Sequence, residues 1–108
     1  MRPMRDDETP PPTPMIHNIV STSQIVSDTR PINLYEIAAA LPFSYYNPQR
    51  FAAITIRLKD PDCTTLLFSS GRVVVVGSRN LYECILASLS ICNLLRELFP
   101  SKVFYLEN

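Results

Sequence analysis

Reactive side chains are few in this chain, and their spacing does not build a catalytic or metal centre. The single histidine, His17, has no nucleophile or carboxylate cluster beside it. The three cysteines, Cys63, Cys84 and Cys92, are an odd number and form no Cys-x-x-Cys pair, a pattern that disfavours structural zinc and a disulfide framework. The sequence therefore predicts no enzymatic activity, no metal and no cofactor, with the cysteines as small apolar residues in a reducing, intracellular compartment.

The composition limits which elements can position the remaining side chains. The chain has 108 residues, 46% of them hydrophobic, with ten basic and ten acidic side chains, so it can form one small domain. Residues 1–14 hold half of the ten prolines and an acidic triplet, which predicts a disordered tail before a single domain over residues 15–108. No apolar run is long enough to span a membrane. Zero formal net charge is unusual for a nucleic-acid binder, because phosphate contacts require basic side chains.

Hydrophobic periodicity and turn residues predict seven elements in the order β-α-β-β-β-α-β. The predicted strands are 16–26, 51–58, 64–69, 72–76 and 102–106. The predicted helices are 31–41, beginning at Pro31, and 80–99, capped by Asn80 and stopped by Pro100. We therefore expect an α+β fold in which both helices cover one face of an antiparallel sheet.

The other face of this sheet would then be exposed to water. Because side chains alternate along a strand, this face would carry Asn18, Val20, Thr22, Phe51, Ala53, Thr55, Arg57, Leu66, Phe68, Ser70, Val74 and Val76. A contiguous apolar patch on a small protein implies a partner. A second layer could cover it instead, but no segment is left over to form one.

Three segments carry a resemblance to a known family. Asn18-Ile19-Val20-Ser21-Thr22, Tyr46-Asn47-Pro48-Gln49-Arg50-Phe51-Ala52-Ala53 and Phe68-Ser69-Ser70-Gly71-Arg72 closely resemble, in the same order and spacing, the first of the two repeats of the TATA-box-binding protein. The similarity runs from about residue 16 to residue 100. It implies a curved sheet with two helices on its convex face, which is half of the family's saddle.

The resemblance implies a DNA-binding transcription initiation factor with a concave site for A·T-rich promoter DNA. The family is itself a standard example of minor-groove wedging and DNA bending. Phe51 and Phe68 match its wedges, Ala53 a small neighbour, and Asn18 its hydrogen-bonding amide. The matched apolar contacts are Val20, Leu66 and Val74, and the matched groups near phosphates are Arg50, Arg57, Ser70, Arg72 and Arg79. Val76 stands where the family typically has Thr, which predicts a relaxed TATA preference.

Two further departures bear on partners. Only one repeat is present, so we expect two copies, or this chain and a related one, to pair edge to edge; otherwise the 108 residues are part of a longer protein. On the long helix, this chain has other residues at five positions that are basic in the family, namely Ile85, Leu89, Ser90, Asn93 and Glu97. This change predicts that a hydrophobic partner, or self-association of the chain, replaces the usual basic-face partners among the general transcription factors. It would use Leu81, Ile85, Leu89 and Cys92.

These departures are typical of a divergent member, such as a large DNA virus or a fast-evolving parasite would encode, acting in the nucleus or a viral factory. The acidic tail and the loss of bases from the long helix account for the zero net charge, while Arg50, Arg57, Arg72 and Arg79 stay with the sheet. A different class remains open, namely a protein-interaction module of the same fold whose concave sheet or long helix is covered by a protein rather than by DNA.

Overall fold

The computed structural model describes residues 19–107, which form one antiparallel sheet and two helices. The elements are β1 (Ile19–Ser27), α1 (Leu34–Ala40), β2 (Ser44–Tyr45), β3 (Ile54–Lys59), β4 (Asp62–Leu67), β5 (Arg72–Ser78), α2 (Leu81–Leu98) and β6 (Phe104–Glu107). The sheet order is β2-β3-β4-β5-β1-β6. The predicted α+β class is confirmed, and β2 is added to the predicted order. The predicted tail and the first residues of the first predicted strand lie outside the described residues.

Both helices begin at an asparagine cap. The Asn80 side-chain oxygen accepts a hydrogen bond from the Glu83 backbone N–H at 2.9 Å, so the predicted cap of α2 is confirmed. The predicted start of α1 at Pro31 is wrong, because Asn33 caps this helix by accepting from the N–H groups of Tyr35 at 3.0 Å and Glu36 at 3.3 Å. A side-chain acceptor for two free N–H groups thus decides where α1 begins.

The strands differ from their predicted bounds at the start of the meander. The backbone N–H groups of Arg50 and Phe51 both donate to the Asn47 carbonyl at 3.0 Å. This turn keeps Phe51 out of β3, which begins at Ile54. The segment before it includes the two-residue strand β2, which pairs with β3. Phe51 is therefore carried by a loop rather than by a strand.

One face of the sheet and both helices enclose the hydrophobic core. Leu34 and Ile37 of α1 belong to the same buried cluster as the inward residues of the sheet and α2. The largest fully buried apolar side chains are Ile25, Ile37, Ile54, Ile56, Leu67, Val73, Val75, Ile91 and Leu95. Burial of each such side chain stabilises the fold by about 1.5–3 kcal/mol. The helices therefore leave the opposite face of the sheet uncovered.

Two glycines with positive φ shape the ends of β5. Gly71, with φ of 94°, closes the β4–β5 turn, and its N–H donates to the Phe68 carbonyl at 2.9 Å. Gly77, with φ of 89°, is the extra residue of a bulge, because Ile19 pairs with Ser78 while Val20 pairs with Val76. Both conformations favour glycine, since a side chain is rarely tolerated there.

Candidate nucleic-acid interface

The uncovered side of the sheet, which we call the open face, is built from two rows of side chains that cross β1, β5, β4 and β3. The strand registers give these rows directly. One row joins Val20, Val76, Thr64 and Arg57, and the next joins Thr22, Val74, Leu66 and Thr55. With strands about 4.8 Å apart, each row spans about 14 Å. Val20 is 60% exposed, and the centre of the face is apolar.

The two predicted wedge residues lie together at one end of the open face. The ring centroids of Phe51 and Phe68 are 5.9 Å apart, with an interplanar angle of 68°. This edge-to-face geometry is a favourable arrangement for aromatic rings. Phe51 is nevertheless 49% exposed. The pair therefore forms a rigid apolar projection whose outer surface is available to a ligand.

Two of the predicted phosphate-contacting arginines lie at this aromatic end. The Arg72 guanidinium carbon is 5.4 Å from the centre of the Phe68 ring, a cation–π distance that orients the side chain. Arg50 precedes Phe51 and is exposed. Within residues 19–107, neither arginine has a carboxylate partner at salt-bridge distance. Ser70, in the same turn, is exposed, and its hydroxyl accepts from the Arg72 N–H at 3.4 Å.

The other two arginines lie at the opposite end, and each contacts a carboxylate. Arg57 donates to Asp62 at 2.7 Å, and Arg79 Nε lies 3.7 Å from Glu83 Oε2. The hydrogen bond and positive charge of Arg57 lower the pKa of Asp62, and Arg79 lowers it further. Asp62 in turn raises the pKa of Arg57. Among the described residues, carboxylates therefore compete for the arginines at this end, whereas they do not pair with Arg50 or Arg72 at the aromatic end.

One predicted site residue lies outside the described residues, and two others are buried. Asn18 lies outside the described residues. Ala53 is only 2% exposed, so a ligand on the open face reaches it only if a covering group moves. The assignment of Cys92 to a protein interface is wrong, because Cys92 is 1% exposed. One turn later in α2, Arg96 donates to the Phe104 carbonyl at 2.8 Å, so β6 packs against this part of the helix and closes it off.

The other members of the predicted α2 interface are exposed. Leu81, Ile85 and Leu89 follow one another at four-residue spacing, and Tyr82 lies beside them. We call these four residues the α2 patch. It lies on the first half of the helix, on the side away from the core residues Cys84, Ala87 and Ile91. The patch is therefore an apolar surface separate from the open face.

Sequence reasoning missed three polar residues of the open face and its margins. Thr64 lies between Arg57 and Val76 in the first row, and the alternation that marks Leu66 and Phe68 could have found it. Asp62 needed the hairpin register to be recognised as the partner of Arg57. Gln24, which is opposite Arg72, donates through its amide to the Ser70 carbonyl at 2.8 Å and so fixes the turn between Phe68 and Arg72.

The described residues offer no competing chemical centre. Across residues 19–107, no group of three or more His, Cys, Asp or Glu side chains is placed to hold a metal ion. The three cysteines are unpaired and buried, as predicted for apolar residues, and burial raises the pKa of the Cys63 and Cys92 thiols. Neither of the described helices combines the length and apolarity needed to cross a membrane. The open face and the α2 patch remain as candidate sites.

Comparison with known proteins identifies the family. The family model described as "Transcription factor TFIID (or TATA-binding protein, TBP)" matches residues 13–98, which include both helices and five of the six strands. The chain belongs to the TATA-binding protein family. The resemblance given by the three sequence segments is thereby confirmed. The family is described as a transcription factor, in agreement with the prediction of a non-enzymatic protein.

Individual relatives show the same family likeness over part of their length. The chain is 36% identical over 92 residues to the mouse TATA box-binding protein-like 2, covering 84% of this chain and 25% of that protein. It is 37% identical over 98 residues to TATA-box-binding protein 1 of Triticum aestivum, covering 88% of this chain and 41% of that protein. The chain thus corresponds to less than half of the length of each of these two relatives.

A solved structure confirms the fold. The TBP of Methanococcus jannaschii matches with a TM-score of 0.68 and 29% sequence identity, over 76% of this chain and 47% of that one. About half of the archaeal chain thus has the arrangement of β-strands and helices described above. This is the share expected for a single repeat of the TATA-binding protein fold.

Proposed function

We propose that the chain is a DNA-binding transcription initiation factor that holds the minor groove of A·T-rich promoter DNA on its open face and bends it. The observation that carries this proposal is the Phe51–Phe68 pair, two rings 5.9 Å apart at one end of the open face, whose centre is apolar. A ring that enters a base step unstacks it and kinks the duplex. Contact between the rings holds Phe51 and Phe68 in place, so less side-chain freedom is lost on binding.

The apolar centre of the open face supplies selectivity in this proposal. Val20, Leu66 and Val74 would lie against the floor of the minor groove, where the guanine amino group projects and A·T pairs present only acceptors. An apolar surface leaves that amino group without a partner, so G·C pairs are disfavoured. Val76, in the same row as Val20, offers no hydroxyl. We propose that the preference for a TATA sequence is relaxed and that A·T-richness is what the face reads.

The arginines at the two ends of the face would contact the phosphate backbone. Arg50 and Arg72 flank the aromatic end, while Arg57 and Arg79 flank the other end. Contacts of this kind fix the position of a protein on the duplex and make its affinity depend on salt. Four arginines around the open face are compatible with zero net charge for the whole chain, because the electrostatic field at this face depends on local charges.

The experiment that tests this function is a DNA-bending assay with a labelled A·T-rich duplex. The unmodified chain is expected to bend the duplex, whereas Phe51→Ala with Phe68→Ala is expected to bind weakly and leave it straight. Tyr35→Ala is the matched control, because Tyr35 is an exposed aromatic residue of α1, on the helix-covered side of the sheet. Bending that survives loss of both wedges would refute the proposal.

One chain carries only half of the family's saddle, and we propose that a second copy or a related repeat completes it on DNA. The chain covers 47% of the archaeal TBP, which supports this. A single open face four strands wide buries little DNA, whereas two faces joined at their edges extend the surface along the groove. A 1:1 chain-to-duplex complex that is fully bent would contradict this stoichiometry.

The α2 patch favours a second, protein-binding function, which could replace DNA binding altogether. Leu81, Tyr82, Ile85 and Leu89 are all exposed, and grouped exposed apolar side chains are typical of protein interfaces. We propose an apolar protein partner there in place of the family's basic-face partners. Leu89→Lys should abolish the complex, whereas Glu97→Lys, a lysine on the same helix at an already polar position, should not. If the partner also prevents DNA binding, the chain is a protein-interaction module rather than a DNA-binding factor.

The proposed role implies a cellular compartment and a set of protein partners for the chain. A promoter-binding factor works with the general transcription factors in the nucleus, or in a viral factory if a virus encodes it. Fluorescence microscopy of the tagged chain tests this, with localisation to DNA expected. Exclusion of the tagged chain from DNA-containing compartments would contradict it.

A further inference from the structure

The outer edge of the open face carries one exposed side chain beyond the two rows. The edge strand β2 pairs with β3 so that Ser44 is opposite Ile56 and Tyr45 is opposite Thr55. Directly opposite residues of antiparallel strands project to the same side of the sheet. Ile56 is buried in the core, so Ser44 lies on the helix-covered side, and Tyr45 lies on the open side with Thr55. Tyr45 thus extends the second row onto β2.

Tyr45 lies near the two wedge rings. In the second row, Thr55 is opposite Leu66, and Phe68 is the next residue after Leu66 to project to the same side. Phe51 belongs to the loop that joins β2 to β3. The row that ends in Tyr45 is therefore the row next to the Phe51–Phe68 pair, and Tyr45 lies at the corner between the outer edge and the aromatic end.

The Tyr45 hydroxyl has a proton that the fold does not use. Its oxygen accepts a hydrogen bond from the Asn47 side-chain amide, with Nδ2 3.3 Å from Oη. A phenol oxygen can accept and donate at the same time, and within residues 19–107 this hydroxyl donates to no other group. Tyr45 is 62% exposed. The edge thus presents a donor whose position is held by Asn47 and which a bound ligand can reach.

The surroundings of this donor favour an anionic acceptor. Arg50 lies in the loop after β2 and is exposed, and Arg72 lies against the Phe68 ring. No carboxylate of the described residues forms a salt bridge with either arginine. An O–H donor binds an ionised oxygen about twice as strongly as a neutral one. A phosphate oxygen fits these groups, because sugar–phosphate backbones border the minor groove and lie opposite the margins of a face that covers it.

We propose that the Tyr45 hydroxyl donates a hydrogen bond to a phosphate oxygen of the bound duplex, next to the base step that Phe51 and Phe68 open. This inference rests on the proposed function, because it adds a backbone contact to the same face. Tyrosine is uncharged, so this contact releases no counterion, whereas an arginine contact does. Its effect is to fix the wedge at one position along the duplex.

A scan of the duplex backbone tests the contact directly. Each member of a set of A·T-rich duplexes carries one uncharged methylphosphonate linkage in place of a phosphate, and fluorescence titration measures the affinity of the full chain for it. Tyr45→Phe should weaken binding to the all-phosphate duplex about tenfold, as loss of a hydrogen bond to a charged group does. At the contacted linkage, the methylphosphonate should weaken binding of the unmodified chain more than that of Tyr45→Phe. If no linkage distinguishes the two chains, the contact does not exist.

Tyr35→Phe is the matched control, because Tyr35 is an exposed tyrosine of α1, on the helix-covered side of the sheet. It should bind every duplex of the set as the unmodified chain does. Tyr45→Phe should lose the same factor at about 50 and 200 mM salt, because a neutral contact leaves the slope of log affinity against log salt unchanged. A weaker salt dependence in Tyr45→Phe would mean that the substitution displaces an arginine, and would overturn the proposal.

Asn47→Ala separates this contact from a merely structural role. The Asn47 carbonyl accepts from the N–H groups of Arg50 and Phe51 at 3.0 Å, so a tyrosine that only steadies this turn would act through Phe51. Asn47→Ala removes the same side-chain hydrogen bond but keeps the Tyr45 hydroxyl. It should therefore stay sensitive to the methylphosphonate at the contacted linkage. If it behaves as Tyr45→Phe does, Tyr45 acts through the turn alone and the proposal is wrong.

The two proposals fail separately in these experiments. If Tyr45→Phe binds and bends the duplex as the unmodified chain does, the Tyr45 contact is refuted and the DNA function stands. If the duplex stays straight while one linkage still depends on Tyr45, bending is refuted and the contact stands. An unmodified chain that does not bind A·T-rich duplex would refute both.

Discussion

Replacing Asp62 by asparagine should strengthen DNA binding and make it more sensitive to salt. Asp62 accepts a hydrogen bond from Arg57 at 2.7 Å. It also lies close enough to Arg79 for the positive charge of that arginine to lower the pKa of Asp62. The side chains of Arg57 and Asp62 are 63% and 67% exposed. A phosphate can therefore reach Arg57 and compete with Asp62 for it. In the asparagine variant, Arg57 loses its competing anion.

The size of the effect follows from counterion release. Each phosphate contact adds about 0.9 to the magnitude of the slope of log K against log salt. Between about 50 and 200 mM salt, one extra contact should therefore weaken binding by a further factor of about 3.5. The fluorescence titration of an A·T-rich duplex at these two concentrations measures this. The variant should bind more tightly than the unmodified chain at low salt and lose more affinity at high salt.

Glu97→Gln is the matched control, since it removes one negative charge from an exposed position of α2. It should leave the salt slope unchanged, because Glu97 belongs to α2 and lies on the helix-covered side of the sheet, away from the open face. If Asp62→Asn and Glu97→Gln give the same slope as the unmodified chain, Arg57 does not contact phosphate. Equal increases in both would indicate a general charge effect, which would also refute the local argument.

The same ion pair has a predictable pH dependence. Arg57 lowers the pKa of the folded Asp62 below its ordinary value of 3.8. The contribution of the pair to stability is therefore fully present above that ordinary value and is lost as the pH falls through the lower folded value. Acid unfolding followed by circular dichroism should show a smaller loss of stability below pH 4 in Asp62→Asn. Identical acid transitions would mean that the pair forms equally in the unfolded chain.

Three further predictions concern stability and are checked by urea unfolding. Gly71→Ala and Gly77→Ala should each lower the free energy of unfolding by about 1–3 kcal/mol, because both positions have positive φ. Gly71→Ala should lower it more, because its Cβ would meet the Ile25 carbonyl oxygen, whereas the Cβ at Gly77 meets nothing. Equal losses would refute this. Asn80→Ala should cost about 0.5–2 kcal/mol by removing the α2 cap, and a smaller loss would mean that water replaces it. Ile91→Ala, at a fully buried position, should cost about 2–5 kcal/mol, and a loss below 1 kcal/mol would mean that the core closes over the cavity.

Much of the fold could be predicted because local signals agree with the tertiary structure. The run of β-branched residues in β5 and the turn residues around Gly71 mark the meander, and Asn80 followed by Glu83 marks the start of α2. The start of α1 was harder, because Pro31 and Asn33 are both acceptable at a helix N-terminus. Only the hydrogen bonds to Asn33 decide between them. The strand β2 has two residues, too few for any periodic pattern, and exists through its pairing with β3.

The residues of the site that belong to the resembling sequence segments could be predicted. The burial and the ion pairs of its residues could not, because they depend on tertiary packing. The segments around Phe51 and Phe68 matched two wedges, and these rings are in contact. The burial of Ala53 and the Arg57–Asp62 pair depend on how the loop and hairpin close. Cys92 has nearly the same angular position on α2 as Ile85, but it lies two turns further along, where β6 covers the helix. Helical periodicity therefore predicts the angular position of a residue around α2 but does not show which element packs against that residue.

A saddle completed by a second copy of this chain would leave the complex without an intrinsic direction. Both halves of the saddle would be the same chain, so both would present identical wedges, identical arginines and identical apolar rows to the two halves of the DNA site. The complex could then sit on a promoter in either orientation with equal free energy. The choice of which strand is transcribed would have to come from a factor that binds only one of the two α2 patches.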